Sequence, residues 1–253
     1  MNGRVLTTLF GRMEEKLYLC ILIVQKPMAQ KLTTEEMHRM TVDEFRASEK
    51  LPLTVVLDNV RSQNNIGSVF RTADAFRVEH IALCGICSTP PHREIHKTAL
   101  GAEESVEWSY AEDTVECVRE LKGRGYRVYA VEQVKDSVKL GGPCLDTLLS
   151  QPQAAASSPN LGEQRNSKVL QQNPSGSSPK LGEVDARSAD GGVCGLRVAI
   201  VLGNEIEGVQ DEVLELCDGA LEIPQYGTKH SLNVSCAAAI VIWELFKKLK
   251  IEN

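Results

Sequence analysis

Three short segments of the sequence carry polar side chains that could bind or react with a ligand, and the first lies at the start of a predicted helix. The apolar residues of segment 66–76 share one helical face at about 100° per residue, and Arg71 lies on the opposite face. Backbone N–H groups at the start of that helix, near Asn64 and Asn65, attract an anion such as phosphate. A solvated surface arginine behind an ordinary asparagine N-cap would show the same pattern.

The second segment, residues 202–208 (LGNEIEG), connects a predicted strand to a predicted helix. In parallel sheets, ligands bind beyond the carboxyl ends of the strands. Gly203 permits close approach of a ligand to the backbone, and Glu205 offers a hydrogen-bond acceptor or an ion-pair partner. The sequence has no G-x-G-x-x-G spacing, so the dinucleotide-binding motif is absent. A tight turn with a glutamate at the positive end of a helix is the alternative interpretation.

The third segment, residues 223–235, is the richest in polar side chains. Pro224 ends a predicted strand, Gly227 allows a turn, and Ser231 is a natural N-cap for the last helix. Asn233 is polar within an otherwise apolar helix, and it must therefore find a hydrogen-bond partner.

Two cysteines and two histidines, Cys84, Cys87, His92 and His96, have a spacing close to that of a zinc knuckle. However, Cys84 lies in a predicted strand, where a cysteine is usually a small buried apolar residue. A second C-x2-C pair is absent from the sequence. We therefore predict no metal site.

Strands alternate with helices along the chain. The sequence predicts strands at 53–57, 81–84, 126–131, 196–202 and 220–223. It predicts helices at 66–76, 111–122, 209–216 and 231–250, and a short helix within 33–50 that begins at Thr33 or Thr34. This alternation predicts an α/β fold with a mostly parallel sheet and helices on both faces.

The last predicted helix is apolar on nearly all sides from Leu232 to Trp243. Val234, Ala237, Ala238 and Val241 lie opposite Cys236, Ala239 and Trp243. A terminal helix of this kind needs two partner surfaces, which favours a homodimer. Complete burial within one chain is the alternative.

Composition divides the chain into regions. Residues 1–27 form an extension of uncertain nature, residues 28–50 a short helical extension, and residues 51–253 the main domain. Residues 150–193 contain 25 Ser, Pro, Gly, Gln or Asn among 44 residues and only six Val, Leu or Ile. Such a composition cannot offset the entropy of ordering, so we predict a disordered insert in a surface loop.

Charge and apolar content exclude several classes of protein. The longest apolar run, residues 17–24, is far shorter than the ~20 residues of a membrane span. A net charge of −6 excludes a globally basic surface, so any nucleic acid must bind a local basic patch. Eight cysteines are too few for a disulfide scaffold, which favours a reduced, cytoplasmic protein.

The three segments, in this order, resemble the three motifs of the SpoU (TrmH-like) RNA 2′-O-methyltransferases of the SPOUT superfamily. The resemblance covers about residues 51–250 apart from the insert. It implies a C-terminal trefoil knot, a homodimer and S-adenosylmethionine as the cofactor. One departure is that Gln225 and Tyr226 follow Ile-Pro where many members have methionine, which bears on substrate more than on activity.

The resemblance also implies roles for individual residues. The cofactor contacts would be Leu202, Gly203, Ile223 and Leu232, and the catalytic cluster would be Asn65, Arg71, Glu205, Ser231 and Asn233. In this cluster Arg71 anchors a phosphate and, in the family, is thought to accept the hydroxyl proton. Glu205 would orient Arg71 or Asn65, and Ser231 and Asn233 would hold the nucleotide or the cofactor carboxylate. A basic patch for RNA would come from Arg61, Arg93, Lys97, Lys229 and His230 around the same loops.

The function that follows is methyl transfer from S-adenosylmethionine to a ribose 2′-hydroxyl of RNA. The predicted substrate is tRNA, and rRNA is the second candidate. The alternative is a catalytically silent SPOUT dimer that binds RNA without modifying it.

Overall fold

The computed structural model describes residues 31–33, 36–37, 39–150 and 196–249. The chain divides into two units between Met40 and Thr41, and the described residues of the second unit contain the sheet and its helices. The predictions for residues 1–27 and for the insert, Ser150 apart, lie outside the described residues. In the described part of the chain, no helix has the length and apolar character needed to cross a membrane.

Seven strands form one sheet, and every pair of neighbouring strands is parallel. They are β1 (Leu51–Asp58), β2 (Val78–Cys84), β3 (Glu107–Ala111), β4 (Arg127–Val131), β5 (Val138–Lys139), β6 (Val198–Leu202) and β7 (Gly219–Glu222). Their order across the sheet is β3-β2-β1-β6-β4-β7-β5. The predicted parallel α/β sheet is thus confirmed.

Eight helices accompany the strands in the described part of the second unit. They are α1 (Val42–Ala47), α2 (Gln63–Ala75), α3 (Arg93–Ala99), α4 (Ala102–Ser105), α5 (Thr114–Gly123), α6 (Pro143–Ser150), α7 (Asp211–Leu216) and α8 (Val234–Leu249).

Both faces of the sheet are covered, because alternate residues of each central strand enter two different apolar cores. Val55 and Leu57 of β1 pack in the core that contains α2 and α8. Val56, between them, packs in the core that contains α5 and α7. This alternation follows from the two-residue period of a strand, and it explains why β1 and β6 read as continuous apolar runs.

Several elements differ from the predictions. Strands β3 and β5 and the helices α3, α4 and α6 were not predicted. The two strands lie at the two edges of the sheet, and β3 has mixed polarity. The predicted helix from residue 111 begins instead at Thr114, because the side chain of Asp113 accepts a hydrogen bond from the Val115 N–H at 2.8 Å.

The cap predicted at Thr33 is present, since its hydroxyl accepts from the Glu36 N–H and its own N–H donates to the Glu36 carboxylate. The helix that the described residues show within 33–50 begins later. Residues 39–41 are not helical, and α1 begins after Thr41, whose hydroxyl and backbone exchange capping-box bonds with Glu44. Phe45 of α1 is buried, and the Arg46 guanidinium donates to the Glu104 carbonyl at 2.6 Å. Helix α1 therefore packs as part of the main unit.

The four central strands, β1, β6, β4 and β7, end side by side. The segments that follow them begin at Asn59, Gly203, Glu132 and Ile223. All three segments singled out in the sequence therefore meet at the carboxyl edge of one sheet, as the parallel topology requires.

Candidate active site

The carboxylate of Glu205 is the centre of a hydrogen-bond network at this edge. It accepts from the backbone N–H of Arg61 and of Ser62, each at 3.0 Å, and from the Asn65 amide at 3.0 Å. The residues before α2 thus offer their N–H groups to an anion, as the sequence predicts, but the anion is a side chain of the protein itself. Ser62, and not Asn64 or Asn65, caps the helix, because its side chain accepts from the Asn65 N–H.

Two opposing effects act on the pKa of Glu205. Burial raises the pKa of the carboxyl group, but the N–H donors of Arg61 and Ser62 and the Asn65 amide stabilise the charged form, and the net pKa is lowered. A carboxylate held in this way is a poor proton acceptor at neutral pH. Its geometry suits the orientation of Asn65, one of the two partners predicted for it.

Asn65 extends the network to the third segment. Its Oδ1 atom accepts from Nδ2 of Asn233 at 3.1 Å, while its own Nδ2 is engaged by Glu205. The Oδ1 atom of Asn233 accepts from the N–H of Ser235 at 2.9 Å and of Cys236 at 3.4 Å. Asn233 is therefore the N-cap of α8, and the predicted cap at Ser231 is wrong. The side-chain amide of Asn233 thus caps α8 through its oxygen and binds Asn65 through its nitrogen.

A cavity of about 480 Å³ lies beside this network, and we call it the loop cavity. Its walls come from the ends of β4, β6 and β7 and from the loops that follow them. All four residues predicted as cofactor contacts line it, together with three of the predicted catalytic residues: Leu202, Gly203, Ile223, Leu232, Glu205, Ser231 and Asn233. The volume is within the usual range for small-molecule sites.

Gly203 is required by the shape of the loop after β6. A Cβ atom at this position would lie 2.0 Å from the carbonyl carbon of Gly208. The backbones of Asn204 and Gly208 exchange two hydrogen bonds there, at 2.9 and 3.0 Å. The loop therefore doubles back on itself, and only a glycine fits the close approach.

Arg71 lies apart from the network, on the exposed face of α2 as the sequence predicts. It lines a second cavity of about 550 Å³ with Lys97 and the hydroxyl-bearing side chains of Ser68, Thr72 and Thr98, and we call this cavity the arginine cleft. In the described part of the chain Arg71 forms no hydrogen bond or ion pair. The predicted contact between Glu205 and Arg71 is not seen there.

The other residues predicted to bind RNA are spread around the two cavities. Arg61, Arg93, Lys229 and His230 are all exposed, and among them only His230 lines the loop cavity. Arg61 contributes its backbone N–H to Glu205, and Arg93 is the first residue of α3.

Two residues after β4 belong to the site but were not predicted. Glu132 and Gln133 both line the loop cavity, and Gln133 Nε2 donates to the His230 carbonyl at 3.1 Å. Their position at the carboxyl end of a central strand is the signal that could have identified them.

The cysteine and histidine group predicted to hold no metal is separated in the structure. Cys84 and Cys87 are buried, His92 caps α3, and His96 pairs with Glu103. Among the described residues, no cluster of three or more His, Cys, Asp or Glu side chains could hold a metal ion.

The model of the SpoU rRNA Methylase family matches residues 52–154 and 161–243 of this sequence. The chain belongs to this family. The match spans the sheet, the loop cavity and most of α8, so the three motifs and the site geometry belong to one conserved domain type.

Curated relatives agree with this membership. The tRNA (guanosine(18)-2'-O)-methyltransferase of Thermus thermophilus is 29% identical over 210 residues, which are 83% of this chain and 81% of the relative. A TrmH-family protein of Staphylococcus saprophyticus is 24% identical over 207 residues, 82% of this chain. The chain spans 63% of the length of that longer relative.

Solved structures show the same fold. The A. aeolicus TrmH/SpoU tRNA modifying enzyme has a TM-score of 0.56 at 21% identity, covering 82% of this chain and 81% of its own. The AdoMet-bound rRNA methyltransferase from Sinorhizobium meliloti has a TM-score of 0.54 at 22% identity. The match covers 80% of this chain and 62% of that one. The fold is therefore that of the SpoU/TrmH methyltransferases, and the trefoil knot stays a prediction.

Proposed function

We propose that this protein transfers a methyl group from S-adenosylmethionine to a ribose 2′-hydroxyl of RNA. The observation that carries the proposal is the network from Glu205 through Asn65 to Asn233, at the wall of the loop cavity. The family membership and the printed activity of the Thermus thermophilus relative support the same reaction.

The loop cavity fits the cofactor by the chemistry of its walls. Leu202, Leu221, Ile223 and Leu232 offer apolar surface to an adenine ring, and the missing side chain at Gly203 exposes backbone to the ligand. Glu132 offers a carboxylate to its charged end. When bound, the cofactor supplies a methyl group on a positively charged sulfur, which needs no metal for activation.

The network of Glu205, Asn65 and Asn233 orients side chains and does not transfer protons. Glu205 stays ionised because three donors hold it, and it fixes the amide of Asn65 in one orientation. Asn65 in turn fixes Asn233, which lies two residues after Ser231. Ser231 is exposed beside the cavity, where its hydroxyl would hold the nucleotide or the cofactor carboxylate.

The arginine cleft suits the phosphate next to the target ribose. Arg71 and Lys97 bring two cations to one cavity. The hydroxyls of Ser68, Thr72 and Thr98 at its wall donate to backbone carbonyls of the protein itself. Since a guanidinium stays charged at ordinary pH, phosphate anchoring is the role that its chemistry favours for Arg71. Proton acceptance by Arg71 remains a hypothesis carried by the family resemblance.

The proposed substrate is tRNA, and rRNA is the second candidate. The Thermus thermophilus relative and the A. aeolicus structure are both described as acting on tRNA. An acidic chain with a local basic surface binds a particular RNA fold in a salt-sensitive way. Such a substrate is consistent with a cytoplasmic enzyme.

The proposed assembly is a homodimer. One face of α8 is buried within the chain, but Cys236, Ile240 and Trp243 are exposed on the other. Trp243 also stacks on Phe246 and contacts Phe76 at a tilt, in an aromatic cluster beside the arginine cleft. Among the described residues nothing buries this face, and a second copy of the chain is the partner we propose for it.

Transfer of labelled methyl groups tests the proposed function. Purified protein, S-adenosylmethionine and unmodified tRNA should yield 2′-O-methylated nucleosides in a nuclease digest analysed by mass spectrometry. Binding of cofactor and RNA without any transfer would favour the silent RNA-binding dimer, and a methyl group on a base would exclude the proposed reaction.

A further inference from the structure

Residues 224–232, which we call the cover segment, border the loop cavity and carry Ser231 and Leu232. Residues 226–232 are all exposed. Within the described part of the chain, the cover segment forms a single hydrogen bond, from Gln133 Nε2 to the His230 carbonyl at 3.1 Å. A segment with so few bonds and so much exposed backbone opens easily.

The partner of that bond is firmly placed. Gln133 follows β4, and the preceding residue, Glu132, donates its N–H to the Leu221 carbonyl of β7 at 3.2 Å. The Oε1 atom of Glu132 accepts from the Gln133 N–H at 2.9 Å. Residues 132–133 are therefore tied to the sheet, whereas the cover segment is not.

Glu132 also contacts the other loop of the cavity. Its Oε2 atom lies against Gly208, where an added Cβ would come within 2.4 Å of it, and accepts from the Val209 N–H at 3.4 Å. The two residues after β4 therefore touch the loops after both β6 and β7, and together they join three sides of the cavity.

We propose that Gln133 is a positioning residue that fastens the cover segment over the cofactor, so that cofactor affinity depends on its bond to His230. The proposal rests on the proposed function, because it assumes that S-adenosylmethionine occupies the loop cavity. His230 directly precedes Ser231 and Leu232, and a tether at its carbonyl restricts both. A loop that is ordered before binding loses less conformational entropy when the ligand arrives, and affinity rises accordingly.

Two substitutions at one position separate the hydrogen bond from the size of the side chain. Gln133→Glu keeps the shape but turns the donor into an acceptor, which repels the His230 carbonyl. Gln133→Arg keeps a donor. By calorimetry, we expect Gln133→Glu to weaken S-adenosylmethionine binding by about threefold to tenfold, the range for the loss of one hydrogen bond. We expect Gln133→Arg, which keeps a donor, to weaken binding less than Gln133→Glu does.

The control is Lys135→Gln, which makes the net charge more negative by one unit, as Gln133→Glu does, two residues along the same loop. Lys135 is exposed and does not line the cavity. Hydrogen exchange of residues 226–232 is the second readout, and it should accelerate in Gln133→Glu alone. Thermal unfolding should be the same for all three variants.

Equal affinity and equal exchange in Gln133→Glu and the unchanged protein would overturn the proposal, as would equal weakening by Lys135→Gln. Neither result would touch the proposed function, because the unchanged protein would still bind and use the cofactor. Failure of the unchanged protein to bind S-adenosylmethionine would overturn both.

Discussion

At the scale of single residues, Asn65 is held in one amide orientation by its two neighbours. The NH2 group of Asn65 donates to the Glu205 carboxylate, and the side-chain oxygen of Asn65 accepts from Asn233. The residue types were visible in the sequence, but the order of the contacts was not, because positions 65, 205 and 233 come together only through the sheet. The separate position of Arg71 has the same origin. Asn65 contacts the network beside the loop cavity, whereas Arg71, on the same helix, lines the arginine cleft.

Replacement of Arg71 by alanine tests whether the arginine cleft serves methyl transfer while the loop cavity binds the cofactor. The arginine cleft would lose one of its two cations, while the loop cavity would be unchanged. We expect cofactor affinity to stay within about twofold and methyl transfer to fall by at least about 100-fold. Calorimetry and a transfer assay measure the two quantities. Normal turnover would remove Arg71 from the mechanism.

The lowered pKa of Glu205 gives a prediction about acid stability. A carboxyl group whose pKa is lower in the folded state stabilises the protein above its unfolded pKa of about 4.3. This contribution disappears as the pH falls through the folded pKa. Because solvent screens the exposed carboxylate, Glu205→Gln should cost less than about 1 kcal/mol of unfolding free energy at pH 7, and progressively less below pH ~4. Urea denaturation at several pH values checks this, and a difference that does not depend on pH would contradict it.

At the scale of helices and strands, the apolar patterns predicted the central elements well. The buried side chains of α2, including Ile66, Val69, Phe70 and Ala73, are those of the predicted core face. The edge strand β3 was missed because edge strands mix polar and apolar residues. Helix starts were the other weakness, since several Ser, Thr, Asp or Asn residues compete for each cap and tertiary contacts decide among them.

Asn233 caps α8 and also binds Asn65, and two substitutions separate these roles. Asn233→Asp keeps the oxygen that caps α8 but loses the donor to Asn65. We expect near-normal stability with strongly reduced methyl transfer. Asn233→Ala loses both, so it should also cost about 1 kcal/mol of stability. Thermal unfolding and transfer assays distinguish the two, and full activity of Asn233→Asp would show that the bond to Asn65 is dispensable.

At the scale of the whole molecule, one face of α8 carries large apolar side chains that the described residues do not cover. Trp243 is 48% exposed and Ile240 is 41% exposed, on a helix whose other face is buried. The sequence predicted this face from its apolar pattern, but it could not distinguish a dimer from burial within the chain. The exposure of both residues is the physical ground for choosing the dimer.

Trp243→Glu should prevent dimer formation, because it places a charge in the centre of the apolar face. We expect light scattering to give the mass of one chain for this variant and of two chains for the unchanged protein. Ile86→Glu is the matched control, since Ile86 is an exposed apolar residue outside α8. A monomeric unchanged protein, or a dimeric Trp243→Glu variant, would contradict the proposed interface.

The predicted insert can be tested by removal. Leu149, Ser150 and Leu196 line one small cavity, so the chain ends on either side of residues 151–195 lie close together. Replacing residues 151–193 by a short Gly-Ser linker should leave the unfolding temperature and methyl transfer unchanged. An insoluble or inactive product would show that these residues belong to the domain.

Mapping of methylated riboses in cellular RNA tests the central claim most directly. Mass spectrometry would compare tRNA and rRNA from cells that contain the protein, lack it, or carry only its Arg71→Ala form. The account predicts one or a few 2′-O-methyl marks that are present with the unchanged protein and absent in the other two. Identical ribose methylation in all three, in both RNA classes, would contradict it.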